Sequence, residues 1–120
     1  MLLAGLIGTG DLPPRPAWEM LPLVPLADAR AMPPEVIRFV AGEVAAGRCT
    51  ANAPGRLAID VALLLDGENR VTASIPRAIG CPVIEQFAAG VAIRWVRGNL
   101  LRHANRMGWY RLHLDFDWTQ

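Results

Sequence analysis

The chain has 120 residues, 52% of them apolar and 19% charged, which predicts one compact domain and excludes a disordered tail. All twelve basic residues are arginine, and eleven Asp and Glu nearly cancel them to leave a net charge of +1. That balance argues against nucleic acid as a partner, since capture of phosphates wants a strongly basic face. A chain of this size buries roughly two-thirds of the surface its unfolded form exposes, so it needs neither a metal nor many disulfides to hold a core.

There is no run of 18 apolar residues to span a bilayer. The apolar start, residues 1–8, is brief and lacks the basic region that opens a secretory signal. Residues 11–34 then hold seven of the ten prolines: Pro13, Pro14, Pro16, Pro22, Pro25, Pro33 and Pro34. Prolines at that density oppose both helix interior and sheet centre, which predicts an extended leader over residues 1–32 and a domain over residues 33–120. Trp18, Met20, Leu21, Leu23, Val24 and Leu26 are interleaved with the prolines. The leader is therefore expected to pack against the domain or against a partner.

From Pro34 the periodicity changes. Val36, Ile37, Val40 and Val44 recur at helical spacing, Pro34 and Glu35 suit a helix start and Gly47 suits its exit, predicting a helix over residues 34–46. Leu57, Ile59, Val61, Leu63 and Leu65 alternate with Ala58, Asp60, Ala62, Leu64 and Asp66, the period of two of a strand. Asp66-Gly67-Glu68-Asn69 supplies a hairpin turn in which Gly67 is free to take positive φ, and residues 70–76 return as a second strand. Ile84, Phe87, Ala88, Val91 and Trp95 predict a second helix over residues 83–96, ended by Gly98 and Asn99. After a polar connection, Tyr110, Leu112, Leu114, Phe116 and Trp118 alternate with Arg111, His113, Asp115 and Asp117 in a last strand, residues 108–118. The elements assemble as an α+β fold, a three-stranded antiparallel sheet with two helices on one face.

The residues offer little for catalysis. Cys49 and Cys81 belong to no CxxC pair and have no histidine at metal-ligand spacing; they either form one disulfide or are two small buried residues. A thiol mechanism would use Cys81, whose place at a helix start lowers a thiol pKa. Asp115 and Asp117, two apart on one strand face, could form an acid and base pair or hold a cation, against the simpler reading of a charged, soluble face. His103 sits in a polar loop with nothing near it to tune it, and His113 lies between Arg111 and Asp115, where cross-strand pairing accounts for it. Ser74 lacks a nucleophile elbow, and the glycines of residues 5–10 lack the G-x-G-x-x-G order. No catalytic residue, metal ligand or cofactor is assigned, which points to a binding module.

Leu63-Leu64-Leu65-Asp66-Gly67, Ala92-Ile93-Arg94-Trp95 and Leu112-His113-Leu114-Asp115-Phe116 resemble, in that order, the strand with its Asp-Gly turn, the helix ending in an aromatic and the closing strand of the C-terminal domain of TonB-like energy transducers. Pro33-Pro34 stands where that family's first helix opens, and the resemblance covers about residues 33–118. It implies a periplasmic domain whose exposed last strand pairs with an extended segment of an outer-membrane receptor in energy-coupled transport. The corresponding residues here are Tyr110, Arg111, Leu112, His113 and Asp115. A terminal strand can present unpaired N–H and C=O groups to another chain, so the expectation also stands on backbone chemistry. The competing expectation is self-association, in which the same edge pairs with a second copy of the chain.

Overall fold

A computed structural model describes residues 15–101 and 107–119. The glycine-rich start and His103 lie outside the described residues. A 3₁₀ turn, Arg15–Met20, leads through extended chain to helix α1, Pro34–Ala45. Strands β1, Arg56–Leu65, and β2, Val71–Pro76, form a hairpin, followed by helix α2, Pro82–Val96, and strand β3, Gly108–Asp117. The sheet order is β2-β1-β3 and both pairings are antiparallel. This is the expected α+β fold.

Alternation in β1 decides the layering. Leu57, Ile59, Val61, Leu63 and Leu65 are buried and join Tyr110, Leu112, Leu114 and Phe116 of β3 in one core. Val36 and Val40 of α1, and Ile84, Ala88, Val91 and Ala92 of α2, close that core from the helix side. Full burial of a side chain such as Leu63 or Phe116 contributes about 1.5–3 kcal/mol, and this layer is the main source of stability.

Proline opens both helices at the first position, where its missing N–H costs nothing. Glu85 then reaches back, its Oε2 accepting from the N–H groups of Ile79 and Cys81 at 2.9 and 3.1 Å, and so fixes the approach to α2. Cys81 is bonded to Cys49. The bridge ties the exit of α1 to the entrance of α2 across 32 residues of chain, and settles the alternative left open by the cysteine count.

The hairpin turn differs from expectation in one respect. Asn69, not Gly67, takes the left-handed conformation, at φ 63°. Asp66 is the reason: its Oδ1 accepts from the N–H groups of Glu68 and Arg70 at 2.8 and 2.9 Å, and its carbonyl from Asn69 N–H at 3.2 Å. The carboxylate organises the turn, and Asn is among the few residues that tolerate the conformation left at its end.

Extended chain was expected throughout the leader, yet residues 15–20 wind into a 3₁₀ turn and residues 21–32 are built into the domain. Trp18 and Val24 are buried, and Leu26 and Met32 pack on the core. Asn99 anchors the passage: its Oδ1 accepts from Asp28 N–H at 3.0 Å, its Nδ2 donates to Asp28 carbonyl at 2.9 Å, and its own carbonyl accepts from Ala27 N–H at 2.8 Å. A side-chain amide has the donor and acceptor of a peptide group, so buried Asn99 pairs with the leader as a strand neighbour would.

Candidate functional site: the outer edge of β3

β3 pairs with β1 without a break in register, from Leu65 opposite Gly108 to Arg56 opposite Asp117. The outer side of β3 is in part already used. Arg111 N–H donates to Pro22 carbonyl at 2.8 Å, and Val24 N–H donates to Arg111 carbonyl at 2.9 Å, so Leu23 lies beside Arg111 as a short parallel strand. The expectation of a wholly free terminal strand is corrected at this residue, because the leader's own backbone reaches it first.

The pairing stops after one residue for a local reason. Leu26 N–H turns back to Val24 carbonyl at 2.9 Å, closing a three-residue turn centred on Pro25. In a continued parallel ladder those two groups would serve His113 instead. The turn sends the leader to Leu100 and Asn99, where Leu26 bridges and Ala27 bonds.

Beyond it the edge is open among the described residues. Because Arg111 directs both of its backbone groups outward and the register is regular, His113, Asp115 and Asp117 direct theirs outward as well. Two bonds confirm the parity: Asp60 carbonyl accepts from Arg77 N–H on the β2 side, and Trp118 N–H donates to Gly55 carbonyl on the β1 side.

Side chains along the edge fall into two sets. Tyr110 and Leu112, expected to touch a partner, are buried under the helices because their positions in the alternation face the core; neither side chain is available at the surface. Arg111, His113 and Asp115 point to the opposite face. There Asp60 of β1 is the hub: His113 Nδ1 lies 2.7 Å from its Oδ1, while Arg77 and Arg111 approach its Oδ2 at 3.5 and 3.6 Å. Arg77 also bonds Glu19 at 2.9 Å and lies 5.4 Å from the Trp18 ring centre, so the leader's 3₁₀ turn caps the polar cluster. Sequence alternation placed Asp60 on this face, but its role as hub depends on residues 17 to 53 positions away. Further along, Arg56 pairs with Asp115 and sits 3.7 Å from Asp117.

These partners shift the titrations. The Arg77 guanidinium holds the Glu19 carboxyl below its ordinary range. The hydroxyl and N–H of Thr119, with Arg56 behind them, do the same for Asp117, and Asp115 raises Arg56 further. Asp115 and Asp117 both lie against Arg56, and Asp117 also accepts from Thr119. Cys81 has no free thiol while bridged to Cys49, which removes the proposed thiolate. Among the described residues no group of His, Cys, Asp and Glu is arranged to hold a metal ion, and no helix is long and apolar enough to cross a membrane.

No protein-family model matches the chain, and neither a curated protein nor a solved structure is significantly similar to it.

Proposed function

We propose that the chain is a protein-binding module that captures an extended segment of a partner by strand addition along residues 113–117 of β3. One observation carries the reading: the outer ladder of β3 already accepts an extended segment at Arg111, and the Pro25 turn removes that segment just before His113. An incoming strand would find outward N–H and C=O groups at His113, Asp115 and Asp117. Backbone pairing supplies the affinity, and His113 and Asp115 beside the ladder supply selectivity. Met20, 80% exposed, and Leu23, 61% exposed, give the leader around this edge apolar side chains for the partner to cover.

The partner class follows from the TonB-like resemblance: an extended segment of an outer-membrane receptor, met in the periplasm, in support of energy-coupled transport. A disulfide between Cys49 and Cys81 is in keeping with an oxidising compartment. A second copy of the chain is the alternative occupant of the same edge.

The test is an amide NMR titration with an extended receptor-segment peptide, run beside sedimentation of the protein alone. Perturbation centred on residues 113–117, with a monomer in sedimentation, is expected. Replacing His113 by Pro removes an outward N–H while leaving the bonds of β3 to β1 in place, and should abolish capture; the direct mapping stands should that variant fold poorly. Response confined to residues remote from β3 would sink strand addition, and dimerisation through residues 113–117 would transfer the edge to a second copy.

A further inference from the structure

A separate groove of about 150 Å³ opens where the leader enters α1 and passes the last turns of α2. Its lining combines Pro33, Val36, Val91 and Trp95 with two arginines, Arg30 and Arg94. Arg48, Arg56, Arg70, Arg77 and Arg111 are spent on carboxylates, respectively Glu43, Asp115, Asp66 and, for the last two, Asp60, whereas Arg38 and Arg97, which do not line the groove, pair with none among the described residues. Arg30 and Arg94 engage no carboxylate or hydrogen-bond acceptor among the described residues. Even Glu35, in the first turn of α1 beside Val36, pairs with neither.

The groove wall is held in place. Asn99 fastens Asp28 two residues before Arg30, and the same Nδ2 approaches Trp95 carbonyl at 3.4 Å. One buried amide thus sets the leader wall, which carries Arg30, against the α2 wall, which carries Arg94.

We infer that this groove binds an acidic segment of a partner protein that inserts one apolar side chain, of about leucine size, between flanking carboxylates. Volume decides against a free small molecule, because pockets that enclose one measure roughly 300–1,000 Å³, whereas this space fits a single anchoring side chain. Charge decides the flanks. Two guanidiniums with no carboxylate partner among the described residues, lining a groove with apolar side chains, complement carboxylates, which they can grip in forked pairs. The inference does not rest on strand addition at β3, since it uses a different surface.

The experiment is an NMR titration of the full chain with a synthetic peptide carrying Asp-Glu-Leu-Glu-Asp in a Gly and Ser background. Saturable shifts at Val36, Val91 and the Trp95 indole are expected, and a peptide with Gly in place of Leu should lose most of them. The double variant Arg30→Gln and Arg94→Gln should weaken binding by about tenfold, the effect of two exposed ion pairs. Both side chains are exposed, and a thermal melt checks that the variant stays folded. Absence of saturable shifts at these residues overturns the inference. So does indifference to the Leu-to-Gly change, or an equal response to inorganic polyphosphate or anionic phospholipid vesicles, either of which reduces the site to unspecific charge attraction. Shifts at residues 113–117 report on the other site and are read separately.

Discussion

The two faces of the sheet are made from the same three strands and serve different ends. Toward the helices, β1 and β3 present Leu57, Ile59, Val61, Leu63, Leu65, Leu112, Leu114 and Phe116, all buried in one continuous core. Away from the helices they present Asp60, Arg111, His113 and Asp115, tied by ion pairs and roofed in part by Trp18. The second face is not arranged for maximal stability: Arg111 Nε and Asp115 Oδ1 are buried without a hydrogen-bond partner among the described residues, and such atoms lose their hydration with no return. One residue of alternation thus separates a layer that holds the fold from a layer of ion-paired side chains beside a strand edge that is open beyond Arg111 among the described residues.

If stability resides mainly on the helix side, the largest effect should come from cutting its one covalent tie. The bridge between Cys49 and Cys81 joins the ends of α1 and α2. Closing a loop of this length is worth about 3–4 kcal/mol by chain entropy. Replacing both cysteines by Ala should lower the melting temperature by about 10–20 °C. Peptide capture at residues 113–117 should persist below the new melting point. Loss of capture in the still-folded variant would show that the two layers are not separable.

A smaller effect is expected where the leader is fastened. Asn99→Ala removes both amide bonds to Asp28 and leaves that peptide group without partners, at a cost of about 1–3 kcal/mol. The leader then keeps only its backbone attachments, residues 22–24 on Arg111, Pro25 on Leu101 and Ala27 on the Asn99 carbonyl. Hydrogen exchange should accelerate at Val24, Ala27 and Asp28 while the amides of β1 keep their protection. Uniform acceleration through β1 would mean that the leader and the sheet unfold as one unit.

Local pattern and long-range assembly divided what could be read in advance. Period-two alternation in β1 and β3, and the helical spacing around Val40 and Val91, depend on neighbours a few residues away, so both helices and all three strands were legible to within a residue or two. The leader was not. Its 3₁₀ turn is covered by Trp18 on Arg77, and its strand contact is a bond between residues 24 and 111; no window of sequence contains both ends. Asn99 was legible as a helix terminator, whereas its pairing with Asp28 spans 71 positions. At the candidate site His113 and Asp115 keep the surface position that alternation assigned them. Tyr110 and Leu112 were placed correctly on the apolar face by the same alternation, and that placement is what withdraws their side chains from a partner.

Acid gives the mildest and most selective probe of the difference between the faces. Glu19 and Asp117, on the leader turn and the charged face, are held below their ordinary ranges by Arg77 and by Thr119 respectively. Asp66 in the hairpin turn is lowered by the N–H groups of Arg70 and Glu68, and Glu43 by Arg48. A carboxyl whose folded pKa is depressed contributes stability that is fully present above its unfolded pKa, about 4, and that disappears as pH falls through the folded value. Their contribution is therefore intact and flat from neutrality down to roughly pH 5, and it declines below about pH 4. Urea midpoints should be unchanged by these groups between pH 7 and 5 and fall by pH 2.5. The core of Leu57, Val61 and Phe116 contains no group that titrates there, so the leader turn should loosen first, read as a change in Trp18 fluorescence ahead of loss of the β-sheet signal. A single transition at every pH, with Trp18 and the sheet changing together, would mean that the charged face supports the core rather than merely covering its reverse side.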